Sequence, residues 1–153
     1  MIKWIRSLLA GPTQRVEVGS DIVWVPDVAD SIARFGGRYL SRVFTTGELR
    51  DSMSQSASAQ HLSLAARFAA KEATMKILQP TGSDALPWQA IEVKRSSRGA
   101  PQLALHGRAA ALARTAGITQ LSLSLSHDRD YATAVVVGLR TTAPANSEPN
   151  SFS

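Results

Sequence analysis

No cysteine occurs among the 153 residues. That excludes a disulfide framework, a thiolate metal site and a cysteine nucleophile. Aromatic residues are scarce, at 6%, so a stacking platform for single-stranded nucleic acid is poorly supplied. Long apolar runs are missing too. Runs such as Ala132–Leu139 fall far short of the ~20 residues that cross a bilayer. Near the N-terminus, Leu8-Leu9-Ala10 is too short to be the apolar centre of a signal peptide. The glycine patterns of dinucleotide and P-loop folds are absent, as are His-Glu-x-x-His and Gly-x-Ser-x-Gly. Those absences argue against common nucleotide folds, zinc proteases and nucleophile-elbow hydrolases.

What remains is enough for one globular domain. The length suits a single unit, and 44% hydrophobic residues fill a core without staples. Seventeen Lys and Arg against twelve Asp and Glu give a net charge of +5. Such a balance describes either a solvated basic surface or one that meets an acidic partner: nucleic acid, a phosphorylated ligand, an acidic protein or a membrane.

Along the chain, Val16–Val25 is rich in β-branched residues and predicts a strand, stopped at Pro26. Asp27 or Asp30 is the expected cap of the helix that follows. Val28, Ile32, Phe35, Tyr39 and Val43 recur at helical spacing, with Gly36-Gly37 as a weak point. Arg34, Arg38 and Arg42 then fall on one face. Thr45-Thr46-Gly47-Glu48 reads as a further helix start. Asp51–Gln60 is expected to be a helix end and a mobile connection. His61–Leu78 is the strongest helical pattern, with Leu62, Ala65, Ala69, Ala73 and Ile77 on its apolar face, ended by Pro80 and Gly82. Trp88–Lys94 and Gln102–Leu105 form a candidate hairpin across a Ser96–Pro101 turn. Gly107–Ala116 reads as a helix closed by Gly117. Gln120–Ser126 alternates leucine and serine, and Tyr131–Leu139 is an apolar strand after a turn at His127–Asp130. The order is α+β with a mostly antiparallel sheet. Residues 1–15 read as an N-terminal extension, 16–140 as the domain and 141–153 as a disordered tail.

Three places hold candidate chemistry. Asp21 sits among Ile22, Val23 and Val25, so its carboxylate must be exposed, paired or metal-bound. Glu72 and Lys76 are four apart on one helix face, which suits an ordinary ion pair as well as a site. Ser126-His127 at a strand end suits metal ligation, phosphate binding, base chemistry or a plain exposed turn. His61 and His106 have no partner spacing and read as surface.

Taken in order, these pieces resemble the holo-acyl-carrier-protein synthase type of 4′-phosphopantetheinyl transferase. Gly19-Ser-Asp21-Ile-Val is similar to the family's opening strand. Arg38-Tyr-Leu-Ser-Arg42-Val-Phe-Thr45 with Glu48 is similar to its next helix and turn. Arg67-Phe-Ala-Ala-Lys71-Glu72-Ala with Lys76 matches its central signature, Gly99-Ala-Pro101 its hairpin, and Leu123-Ser-Leu-Ser126-His127-Asp with Tyr131-Ala132 its closing strand pair. Asp27 departs from the pattern, standing where a basic residue is usual, and Ser52–Ala59 lacks basic residues.

The resemblance implies the phosphopantetheinyl transferase fold, a mostly antiparallel sheet against a long central helix, in a cytoplasmic homotrimer with sites between subunits. It implies transfer of 4′-phosphopantetheine from coenzyme A to a serine of an apo acyl carrier protein or carrier domain, releasing 3′,5′-ADP, in fatty acid biosynthesis. Asp21 and Glu72 would hold Mg²⁺, and Glu72 or a metal-held water would take the serine proton. Glu72 and Lys76 would be catalytic. Arg67, Lys71, Pro101, Ser126 and His127 would contact coenzyme A, while Arg38 and Arg42 would dock the acidic carrier. No nucleic-acid or membrane partner is expected on this reading. The competing readings are a basic module that binds RNA or an acidic protein, and a family member without transferase activity.

Overall fold

The computed structural model describes residues 12–53, 56–82 and 85–142. A long first strand, β1 (Thr13–Trp24), runs into helices α1 (Val25–Phe35), α2 (Gly37–Val43) and α3 (Thr46–Met53). The central helix α4 (Ala57–Leu78) follows, then a 3₁₀ turn at Trp88–Ala90. The hairpin β2 (Ile91–Arg95) and β3 (Pro101–Leu105), the helix α5 (Gly107–Thr115) and the hairpin β4 (Ile118–Asp128) and β5 (Tyr131–Thr142) complete the chain. The strands make a three-stranded antiparallel sheet in the order β1-β5-β4 and a separate two-stranded sheet.

Helix α4 lies on one face of the larger sheet, and its small side chains decide how closely. Ala65, Ala69, Ala70 and Ala73 are all fully buried. They let the helix backbone approach until a Cβ placed on Gly19 of β1 would stand 2.0 Å from the Ala73 carbonyl oxygen. Leu64, Ile77, Ile91, Ala132, Ala134 and Val136 fill the rest of this core. The opposite face of the sheet is bare. Val16, Val18, Ile22 and Trp24 of β1 are 47–64% exposed, and Tyr131, Val135 and Val137 of β5 are 40–49% exposed. Register places them side by side, Val18 opposite Val137 and Trp24 opposite Tyr131. A contiguous apolar patch of this kind marks an interaction surface.

Several expectations are corrected. The strand does end ahead of Pro26, but at Trp24 rather than Val25, and Pro26 occupies the first turn of α1, where a missing N–H costs nothing. Neither Asp27 nor Asp30 is the cap: Trp24 is, without a side-chain bond, and Asp27 lies in the first turn. Gly36, at φ 53° and ψ −134°, breaks the helical run, so Arg34 belongs to α1 and only Arg38 and Arg42 share the α2 face. The central helix begins at Ala57 rather than His61. It ends on Gln79 in a left-handed conformation. Residues 13–15 and 141–142 belong to β1 and β5. The remainder of the expected extension and tail lies outside the described residues, apart from the exposed Pro12.

A buried polar cluster pins α3 to α4 and β2. Thr45 and Glu48 form a capping box: the Thr45 N–H donates to Glu48 Oε2 at 2.9 Å, and the Glu48 N–H donates to Thr45 Oγ1 at 3.2 Å. Glu48 Oε1 accepts the Val93 N–H at 3.0 Å, and Glu48 Oε2 accepts from Lys71 Nζ at 2.9 Å. The Lys71 ammonium also donates to the Trp88 and Ile91 carbonyls. Both charged side chains are fully buried, and each is surrounded by partners, as burial demands.

Candidate active site

Two of the clefts beside the central helix hold the candidate residues. The first, of about 490 Å³, is lined by Asp21–Trp24 of β1, Asp27, Val28 and Ser31 of α1, Tyr39 of α2, and Phe68 and Glu72 of α4. Strand alternation turns Asp21 inward with Gly19 and Val23, while Ser20 and Ile22 face out. The close helix–sheet contact at Gly19 therefore brings Asp21 to the flank of α4 where Glu72 emerges. Lys76 Nζ reaches Asp21 Oδ1 at 2.9 Å and donates to the Ser20 carbonyl. It pairs with Asp21 across elements rather than with Glu72 one turn away on its own helix. Burial, and then the negative charge of Asp21, raise the Glu72 carboxyl above the usual carboxylate range, with Lys76 opposing. Two carboxylates in one cleft with one nearby ammonium are an under-neutralised pair.

Among the described residues no group of three or more His, Cys, Asp or Glu side chains could hold a metal alone. Asp21 and Glu72 in the first cleft offer carboxylate oxygens, a hard-cation donor type.

The second cleft, of about 300 Å³, lies at the other edge of the sheet. It is lined by Ala59, Leu62, Ser63, Ala66 and Arg67 of α4, Arg95 of β2, and Leu125, Ser126 and His127 of β4. Ser126 and His127 sit within β4, paired with Thr133 and Ala132, so they are strand residues rather than part of a turn. Arg67 is 4% exposed. One of its terminal nitrogens donates to the Ser63 carbonyl and hydroxyl, and the other stands 3.9 Å from Asp51. Its Nε has no hydrogen-bond partner. Burial pushes the Arg67 guanidinium down from the usual arginine range, Glu48 and Asp51 pull it up, and Arg95 pushes it down further.

The two clefts share no lining residue. Ile22 and Ser126 both pair with Thr133 from opposite sides, a separation of about 10 Å across three strands. One chain thus brings Asp21, Glu72 and Lys76 together, and separately Arg67, Ser126 and His127, but does not join the two sets. Pro101 opens β3 opposite Arg95 and lines neither cleft. Lys71 is corrected: its three ammonium hydrogens serve Glu48 and two carbonyls inside the core, which leaves none for a phosphate. Arg38 and Arg42 are exposed on α2.

Sequence reasoning passed over Arg95, although a signal existed. Ile91, Val93 and Arg95 alternate along one face of β2, so Arg95 is the charged continuation of a buried row. It also left His106 as plain surface, whereas its Nε2 lies 2.8 Å from Glu92 Oε2.

Residues 17–136 match the family model of the 4′-phosphopantetheinyl transferase superfamily. A holo-[acyl-carrier-protein] synthase of Koribacter versatilis is 42% identical over 119 residues, covering 78% of this chain and 94% of that protein. Among solved structures, the Chronobacterium ammoniagenes synthase in complex with coenzyme A is 36% identical with a TM-score of 0.73, covering 82% of this chain and 97% of that one. The Helicobacter pylori holo-[acyl-carrier-protein] synthase, also with coenzyme A, is 31% identical with a TM-score of 0.68 and covers 80% and 99%. Fold, motif order and near-complete coverage agree, and the chain belongs to the 4′-phosphopantetheinyl transferase superfamily, among the enzymes of the holo-[acyl-carrier-protein] synthase type.

Proposed function

We propose that the protein transfers 4′-phosphopantetheine from coenzyme A to a serine of an apo acyl carrier protein or carrier domain, with Mg²⁺ held by Asp21 and Glu72. The observation that carries this reading is the under-neutralised Asp21–Glu72 pair, with Lys76 beside it, in an open cleft. In the reaction the serine oxygen forms a bond to the β-phosphorus of coenzyme A. The bond to the bridging oxygen breaks, 3′,5′-ADP leaves, and the serine proton passes to Glu72 or to water. When bound, Mg²⁺ supplies charge neutralisation at the pyrophosphate. Lys76, exposed enough to move from Asp21 to a phosphate oxygen, stabilises the charge that gathers on the leaving group. Arg67, Ser126 and His127 hold coenzyme A through its phosphates, and Pro101 shapes the approach along the hairpin.

The reading includes a homotrimer. The bare apolar face of the sheet needs a cover, and the two half-sites lie at opposite sheet edges. A ring of three copies covers the first and lets each Asp21–Glu72 cleft meet a neighbour's Ser126–His127 cleft. Arg38 and Arg42 on α2 steer an acidic carrier to this edge, setting on-rate and register more than affinity.

The test is intact-mass analysis of an apo carrier protein incubated with the protein, coenzyme A and Mg²⁺. A gain of one phosphopantetheine, abolished by EDTA and by Glu72→Gln, is the expected result. No gain on free carriers or on synthase-embedded carrier domains overturns the proposal.

A further inference from the structure

Charge is laid out in order along the rim of the first cleft. Asp27 and Ser31 both line that cleft from α1, four residues apart and so on one helix face. Arg34 continues that face in the last turn of α1, and Arg38 and Arg42 follow on α2. All three arginines are exposed, and none has an ion pair among the described residues. The strip runs from an acid in the cleft wall to bases beyond it.

The Asp27 carboxylate is unmatched. It is exposed and has no ion pair or hydrogen bond among the described residues. Ser31 Oγ donates at 2.8 Å to the Asp27 backbone carbonyl, which fixes the turn and leaves the side chain free. Lys76, the ammonium beside this cleft, is already engaged by Asp21 at 2.9 Å. The charges that act on Glu72 are those of Asp21 and Lys76, so Asp27 stands apart from that pair and has no part in the chemical step. The N-terminus of α1 makes a negative charge tolerable here, but it does not say what the charge faces. An acceptor serine that reaches Asp21 and Glu72 enters past the α1 wall, and its neighbours in sequence then face Asp27.

We infer, on the basis of the transfer reading above, that Asp27 is a specificity-determining residue for the acceptor: it favours carriers with a basic residue next to the reactive serine and disfavours those with an acid there. The acceptor that fits the whole strip is bipolar, with a cation beside its serine and acids farther along, opposite Arg34, Arg38 and Arg42. Complementary charges at such a rim set encounter and register, and like charges facing each other reject the wrong partner. Asp27 meets the flank of the acceptor, not coenzyme A.

The experiment uses an apo carrier protein in two forms that differ only in the residue before the reactive serine, Lys in one and Asp in the other. The kcat/KM for each is measured at saturating coenzyme A with the wild type, Asp27→Asn and Asp27→Lys. Asp30→Asn removes the same charge from α1 in the lining of a different cleft and is the control. The wild type should prefer the Lys form by about fivefold or more, the size of one exposed charge pair turned from repulsive to attractive. Asp27→Asn should bring the ratio near one, Asp27→Lys should reverse it, and Asp30→Asn should keep it. The KM for coenzyme A should stay the same throughout. A merely structural role for Asp27 would slow both forms alike and preserve the ratio, and that result overturns the inference. Wild-type modification of both forms at equal efficiency sinks the specificity role alone. Modification of neither form, with coenzyme A and Mg²⁺ present, overturns the transfer reading together with it.

Discussion

Replacing Gly19 with alanine should damage stability and catalysis together. The added Cβ would lie 2.0 Å from the Ala73 carbonyl oxygen, 3.0 Å from its carbon and 3.2 Å from Ile77 Cγ1. The obstructing atoms are backbone in the interior of α4, so no rotamer change relieves the clash. The helix must retreat by about 1 Å or more before the closest contact reaches the 3.0 Å that real Cβ atoms respect. Overpacking of this kind costs about 1–3 kcal/mol. The same retreat acts on the site, because Glu72 precedes Ala73 and Asp21 lies two residues beyond Gly19 on the same strand face. Misplacing reactive groups by about 1 Å costs on the order of 100-fold in rate. Gly138→Ala is the internal control, since its Cβ would meet Ile77 Cγ2 and Leu121 Cδ2 at 3.3 Å, side-chain atoms that need give by only a few tenths of an ångström rather than backbone. Urea unfolding followed by circular dichroism, with carrier modification at saturating coenzyme A, reads both effects. Gly19→Ala with a wild-type midpoint and kcat within threefold of wild type would refute the reasoning. So would a Gly138→Ala variant that is the worse of the two.

Other perturbations follow from the same contacts. Glu48→Ala strands the buried Lys71 ammonium and two backbone N–H groups, and urea titration should read a loss of about 3–5 kcal/mol; a loss below about 1 kcal/mol would mean that water reaches the pair. Lys71→Met should cost less, because the carboxylate keeps the Thr45 and Val93 donors. Glu92 is raised by burial but lowered more by hydrogen bonds from His106, Thr45 and Lys94, so its folded pKa lies below the ordinary 4.5. Its stabilisation is present above 4.5 and lost as pH falls through the lower folded value. Glu92→Gln should therefore melt below wild type at pH 7, with the gap closing under acid, and a pH-independent gap would contradict this. Glu72→Gln removes one of two repelling carboxylates, so in metal-free buffer it should melt no lower than wild type while losing the Mg²⁺-dependent rise in Tm. Scanning fluorimetry with and without MgCl₂ checks both halves.

Much of this was legible in the residues because the signals are local. Leucine–serine alternation marked β4, the alanine-rich run marked α4, and Thr45 with Glu48 marked the start of α3. The breaks were harder. Pro26 signals a stop in a strand and a start in a helix, and only the tertiary path distinguishes them. Gly36 and Gly37 announced a weak point, but the 53° φ that detaches Arg34 from Arg38 is a backbone fact. The fold brings Asp21, Glu72 and Lys76 together at the first cleft, yet spacing suggested a Glu72–Lys76 pair where the fold made Lys76–Asp21. Lys71 was implied as a coenzyme A contact by its place in the family's central signature, and sequence alone does not show that it is buried while Lys76 is exposed. Burial and three acceptors separate them, and those acceptors come from 17 to 23 positions away.

On the proposed trimer, the placement of the two clefts at opposite edges of one sheet would have a genetic consequence. A lesion in Asp21 spoils the carboxylate edge of its own copy and spares the basic edge; a lesion in His127 does the reverse. Two defective alleles in one cell can then complement each other, since a mixed ring contains junctions where an intact carboxylate edge faces an intact basic edge. Two alleles damaged at the same edge cannot. Inheritance of activity in such a protein follows the junction, not the chain.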